Sequence, residues 1–186
     1  VFLGSAHMPN VDAARFIVDV LAPACPDIEF HVIGSVCSAI GFQEQKNIKL
    51  WGILDEADKA AVMQSCAIAI NPMMEGSGSN VKLADYLGNG LYVVTTEFGQ
   101  RGYPSVVERH VKSVSLGEFP SATRDAIDEY CDEPVACKAE RKLMFDQALS
   151  MRALAKDFVG LLQNLEVPKK RILFVTYRYV APCLGG

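Results

Sequence analysis

Within the first hundred residues, five short apolar runs (residues 1–4, 29–33, 48–51, 66–71 and 91–95) are separated by turns and by stretches with apolar residues at helical spacing. That alternation of period-2 and period-3.6 patterns constrains the fold more than any other feature of the chain, because strands joined through helical crossovers must run parallel. The first helical stretch, residues 11–21, carries Val11, Ala14, Phe16, Ile17, Val20 and Leu21 at helical spacing and stops at Pro23 and Pro26. A second spans residues 56–65. A third spans residues 80–87 and ends at Gly88-Asn89-Gly90. The pattern predicts an α/β fold, a doubly wound, Rossmann-like parallel sheet whose ligands sit beyond the carboxyl ends of the strands. Residues 119–165, rich in Ala, Lys, Arg, Glu and Leu, read as two or three amphipathic helices split near Pro134 and Ser150 that cover the sheet at its carboxy-terminal end.

Composition narrows the function. The chain has 18 basic and 22 acidic residues, a net charge of -4, so it lacks the basic footprint of a nucleic-acid binder. Its apolar runs fall far short of the ~20 residues that cross a bilayer. The six cysteines form no CxxC pair and have no histidine at ligand spacing, which points to reduced thiols and a cytoplasmic protein rather than to zinc or disulfides. The chain opens directly on a strand at Val1 and reads as a piece of something longer. Residues 1–167 are expected to form one domain, and residues 168–186, with the apolar run Ile172-Leu173-Phe174-Val175, to be a linker and the first strand of a following one.

The chemistry concentrates in residues 71–85, Asn-Pro-Met-Met-Glu-Gly-Ser-Gly-Ser-Asn-Val-Lys-Leu-Ala-Asp. A buried strand runs through a loop of small residues, Gly76, Ser77, Gly78 and Ser79, to a helix start at Asn80. Backbone N–H groups at the positive end of a helix dipole then face one point, which is an anion site. Lys82, one turn inside, can place an ammonium against a diphosphate, and Asp85, three residues on, can accept from ribose hydroxyls. No GxxxxGK[ST] or GxGxxG motif occurs. Asn10 and Asp12, beside Pro9, read as caps of the first helix, and Arg101 as part of a loop after the fifth strand.

Three blocks carry a family resemblance: Phe2-Leu3-Gly4-Ser5 with Pro9-Asn10-Val11-Asp12-Ala13; Pro26-Asp27 through Val32-Ile33-Gly34 with residues 48–52; and residues 76–90 before Val93-Val94-Thr95-Thr96. Together they resemble the carboxy-terminal, donor-binding domain of retaining glycosyltransferases of the GT-B fold. The resemblance implies that Lys82 contacts the diphosphate of a nucleoside diphosphate sugar and Asp85 the ribose. It also implies that Gly4, Ser5, Gly34, Ile53 and Leu54 join Gly76, Ser77, Gly78, Ser79 and Asn80 around the donor. His7 and Glu75 are the candidates for chemistry at the sugar. The implied activity is transfer of a hexose, with retention, to a glycan or lipid-linked acceptor. That acceptor would be bound by a missing amino-terminal domain of the same chain, and the domain described here would turn over little alone. Neither a cofactor nor a metal is implied, since the helix terminus and Lys82 offset the diphosphate charge and no Asp-x-Asp pair occurs. Two other readings stand: a nucleotide-sugar epimerase of the same architecture, and a degenerate, non-catalytic nucleotide-sugar-binding module, the latter kept open by Ser5 where such enzymes often carry a basic residue.

Overall fold

The computed structural model describes residues 1–41, 45–76 and 80–164. The strands are β1 (Phe2–Leu3), β2 (Phe30–Ile33), β3 (Ile48–Gly52), β4 (Ile68–Asn71), β5 (Tyr92–Thr95) and β6 (Val111–Ser113). They form two parallel sheets, β1-β2-β3 and β4-β5-β6, with registers such as Phe2 to Val32, Ile68 to Tyr92 and Val93 to Val111. Val1 joins them edge to edge: its amino group donates to Ile68 O at 2.9 Å and its carbonyl accepts from Ile70 N–H at 3.0 Å. The running order is therefore 3-2-1-4-5-6, with the topological switch between β1 and β4.

Side chains alternate between two buried layers, as strand geometry requires. Phe2, Val32, Ile68, Ile70 and Val94 face one layer, while Leu3, Ile33, Ala69 and Val93 face the other. The first layer is closed by Val11, Ala14, Ile17 and Leu21 and by Phe119, Ala122 and Ala126; the second by Met63, Leu83, Tyr86, Leu87 and Met144. Helices on both faces make the fold an α/β, Rossmann-like one, as the alternation implies.

The first helix departs from expectation at both ends. α1 (Met8–Phe16) begins at His7, with Pro9 in its first turn, where a missing N–H costs nothing. It continues through a π-turn, Ile17–Leu21, into α2 (Ala22–Ala24), past Pro23. The wider turn relieves the clash a proline makes with the carbonyl four residues back. Asn10 and Asp12 therefore lie inside the helix and cap nothing; His7 is the cap residue and makes no side-chain cap bond.

Three short elements escape the sequence pattern: α3 (Val36–Ile40) after β2, too brief for a period; the single turn of helix at Glu97–Gln100; and the three-residue β6, which directly follows a 3₁₀ turn. α4 (Glu56–Ser65) has the expected bounds and is capped by Asp55, whose carboxylate accepts from Asp58 N–H at 2.8 Å. α5 (Val81–Gly88) and α6 (Glu97–Gln100) follow β4 and β5. The carboxy-terminal helices α7 (Phe119–Tyr130), α8 (Val135–Ala148) and α9 (Met151–Gln163) divide at Pro134 and Ser150 as expected. Only α7 lies on the strands; α8 packs on α5, and α9 on α8. The expected first strand of a following domain falls outside the described residues.

Candidate functional site

A cleft of about 980 Å³ opens at the switch point, beyond the carboxyl ends of β1, β2 and β4. Two glycines shape its floor. Gly34 has φ +110°, and a Cβ there would stand 2.1 Å from Gly4 O, so the two strand ends can approach this closely only with glycine at position 34. Gly34 N–H in turn donates to Gly52 O at 2.7 Å, linking the ends of β2 and β3.

The opposite wall is the start of α5, fixed by a buried polar network. The side chain of Asn80, its cap residue, makes no cap bond to the helix; its amide donates instead to Gly99 O at 2.8 Å. Tyr103 Oη donates to Asn80 O at 2.9 Å and accepts from Ala84 N–H at 3.1 Å. Asn71, at the end of β4, donates to Thr95 Oγ1 at 3.0 Å, and Thr96 Oγ1 donates to Met73 O. The α6 turn is thus tied to both strand ends, and Tyr103 holds the first turn of α5 at Asn80 and Ala84.

Lys82 projects from that first turn. Its Nζ donates to Asn10 Oδ1 at 2.5 Å, meets Met73 Sδ at 3.3 Å and stands 4.7 Å from the centre of the Phe2 ring. Among the described residues no carboxylate lies within ion-pair distance, and burial brings its pKa from 10.5 down to about 8. Asp85 is half-buried. Burial pushes its carboxyl up, Lys59 pulls it down, and Glu56 pushes it up again. Lys59 itself pairs with Glu56 at 2.7 Å.

Every expected site residue within the described set lines this one cleft: Gly4, Ser5, Gly34, Ile53, Leu54, Gly76, Asn80, Lys82 and Asp85, together with His7 and Glu75. Ser77, Gly78 and Ser79 lie outside the described residues. His7 and Glu75 are both exposed at the rim. Sequence reasoning missed Lys59 and Ser35, and gave Asn10 and Arg101 too little weight. Arg101 Nη2 donates to Gly76 O at 2.7 Å, pinning the loop that leads to α5. The signal for Asn10 was Pro9: a proline in the first helical turn moves the helix start back to His7 and so places Asn10 one turn in.

A 3-2-1-4-5-6 parallel order with a glycine-edged cleft at its switch point, and a half-buried lysine on the cleft wall with no carboxylate partner among the described residues, defines a Rossmann-like domain. Residues 1–133 match the family model "Glycosyl transferases group 1". The chain belongs to that family and has the GT-B type of Rossmann-like domain. A relative from Klebsiella pneumoniae, described as "Uncharacterized 44.6 kDa protein in cps region", is 27% identical over 115 residues, 55% of this chain and 30% of that protein. Among solved structures, that of WaaG, "a glycosyltransferase involved in lipopolysaccharide biosynthesis", is similar with a TM-score of 0.55 and 15% identity, covering 88% of this chain and 47% of that one. The chain therefore spans under a third of the one relative and about half of the other.

Proposed function

We propose that this domain binds the nucleoside diphosphate sugar of a retaining hexosyltransferase and presents it to a glycan or lipid-linked acceptor held by a second domain. The observation that carries the reading is Lys82, a cation on the cleft wall with no carboxylate within ion-pair distance among the described residues. Burying an ammonium without a counter-charge is costly, and a diphosphate at the start of α5 would supply that counter-charge along with the helix dipole's preference for anions. The two charges offset the diphosphate without a metal ion.

Asp85, further along α5, would accept from the ribose hydroxyls, while Ile53 and Leu54, after β3, offer apolar surface and backbone to the base. Gly4 and Gly34 let the diphosphate approach main-chain N–H groups, and Ser5, Gly76, Ser77, Gly78, Ser79 and Asn80 complete its surroundings. His7 and Glu75, on the rim, are placed to meet the sugar. A relative in a cps region and a solved neighbour in lipopolysaccharide biosynthesis support polysaccharide synthesis as the setting.

Calorimetry with UDP, GDP and ADP, each beside its nucleoside, tests the reading. Lys82→Ala should cost the preferred diphosphate about 1.5–3 kcal/mol, the range for a hydrogen bond to a charged group, and its nucleoside almost nothing. Equal losses for both would remove Lys82 from the phosphate site.

A further inference from the structure

Among the described residues the Lys82 ammonium is held by neutral groups: the Asn10 carbonyl oxygen, the Met73 sulfur and the face of Phe2. An aspartate at position 10 would be an ordinary partner for a half-buried lysine, but it would cancel the charge as it held it. Asn10 does the holding without the cancelling. Its orientation is fixed from the other side, where Nδ2 donates to Ser5 O at 3.2 Å and to Ser5 Oγ at 3.0 Å. An amide whose nitrogen is committed to Ser5 can offer Lys82 only its oxygen. The remaining charged groups of the cleft are Lys59, Arg101, Glu75 and Asp85, with His7 at the rim, and none forms an ion pair with Lys82 among the described residues.

We infer that Asn10 is the positioning residue of this cleft, a neutral acceptor that aims the Lys82 ammonium at the place of the incoming phosphate and leaves its charge for that anion. The inference rests on the reading of the cleft as a diphosphate site. It ties the first βα connection to α5, so the cation's position depends on residues 72 places apart in the chain.

Two variants of the full chain, Asn10→Asp and Asn10→Ala, separate positioning from mere support of the fold. The readouts are the titration of Lys82, followed by NMR of its side chain, and the affinities for UDP, GDP and ADP beside their nucleosides. In Asn10→Asp, Lys82 should titrate at a higher pH than in the wild type, and diphosphate affinity should fall by about tenfold or more while nucleoside affinity holds. In Asn10→Ala, Lys82 should titrate at a lower pH, and diphosphate binding should be lost at a correspondingly lower pH. A residue that only supports the fold would lower both affinities together and leave the Lys82 titration in place, which would overturn the inference. Should Asn10→Ala fail to fold, the near-isosteric Asn10→Asp decides alone. A wild type that binds no diphosphate overturns the reading of the cleft and this inference with it; a wild type that binds, with Asn10→Asp unchanged in affinity and titration, overturns the inference only.

Discussion

Replacing Lys82 by methionine should make the ligand-free protein more stable while weakening its affinity for diphosphates. Burial moves the ammonium from 10.5 to about 8, and at ~1.4 kcal/mol per pH unit that gap is roughly 3 kcal/mol set against the folded state at neutral pH. Methionine, one atom shorter and unbranched, fills most of the same space beside Phe2 and Met73 but needs no hydration. Loss of the Asn10 hydrogen bond, made by a charged donor, takes back ~2 kcal/mol, leaving a net gain of about 1 kcal/mol, or ~2–4 °C in Tm for a domain of this size. The sign follows from proton linkage. A lysine whose folded pKa lies below its unfolded value destabilises fully at pH below about 8, and the penalty fades as pH rises through 10.5. Urea unfolding of wild type and variant at pH 7 and pH 10 is the assay. A gain at pH 7 that shrinks toward pH 10 is expected; a variant that is less stable than wild type, or whose gain is the same at both pH values, would refute the desolvation argument.

Three further substitutions probe the frame around the cleft. Gly34→Ala, which places a Cβ 2.1 Å from Gly4 O at a φ of +110°, should destabilise by ~3 kcal/mol or more in denaturant titration and reduce diphosphate binding with it. The buried Glu133–Arg141 pair, which also holds Gly90 O through Arg141 Nε at 2.7 Å, sits at the amino end of β5, away from the cleft. Glu133→Ala should thus cost about 3–5 kcal/mol of stability by stranding the guanidinium, with diphosphate affinity of the folded protein unchanged by calorimetry. Asp85→Asn should weaken a ribonucleoside diphosphate by several-fold and its 2′,3′-dideoxy counterpart hardly at all; a double-mutant comparison without such coupling would move Asp85 away from the ribose.

The strands and long helices were legible in the sequence because burial on two faces writes itself into the residues. β4 and β5 are buried throughout, and the alternation of Phe2 with Leu3 and of Val32 with Ile33 sorts them to opposite layers. Pro134 and Ser150 mark helix breaks because one removes an N–H and the other supplies a cap: Ser150 Oγ accepts from Ala153 N–H at 3.2 Å. What stayed hidden depends on long-range contact. Pro23 reads as a stop, yet the π-turn absorbs it; α9 reads as sheet cover, yet it packs on α8. Asn10 looks like a cap from its neighbours, and only the meeting of α1 with α5 gives it Lys82 as a partner. For the cleft, the residues of the strand-loop-helix segment and of the glycine-ended strands were readable because both follow from local backbone demands. Lys59 and Ser35 were not, since neither carries a local signal.

The central claim, that the switch-point cleft takes a nucleoside diphosphate sugar with Lys82 on its phosphates, is tested most directly by mapping binding residue by residue. The full chain, isotopically labelled, would be titrated with UDP-, GDP-, ADP- and dTDP-sugars at pH 7 while backbone and lysine side-chain resonances are followed. One donor should perturb Gly4, Gly34, Ile53, Asn80 and Asp85 together, raise the pH at which Lys82 titrates, and lose affinity as pH climbs past about 8, where the free lysine gives up its proton. Perturbations gathered elsewhere on the domain, or saturating donor binding that leaves the Lys82 titration untouched, would contradict the claim.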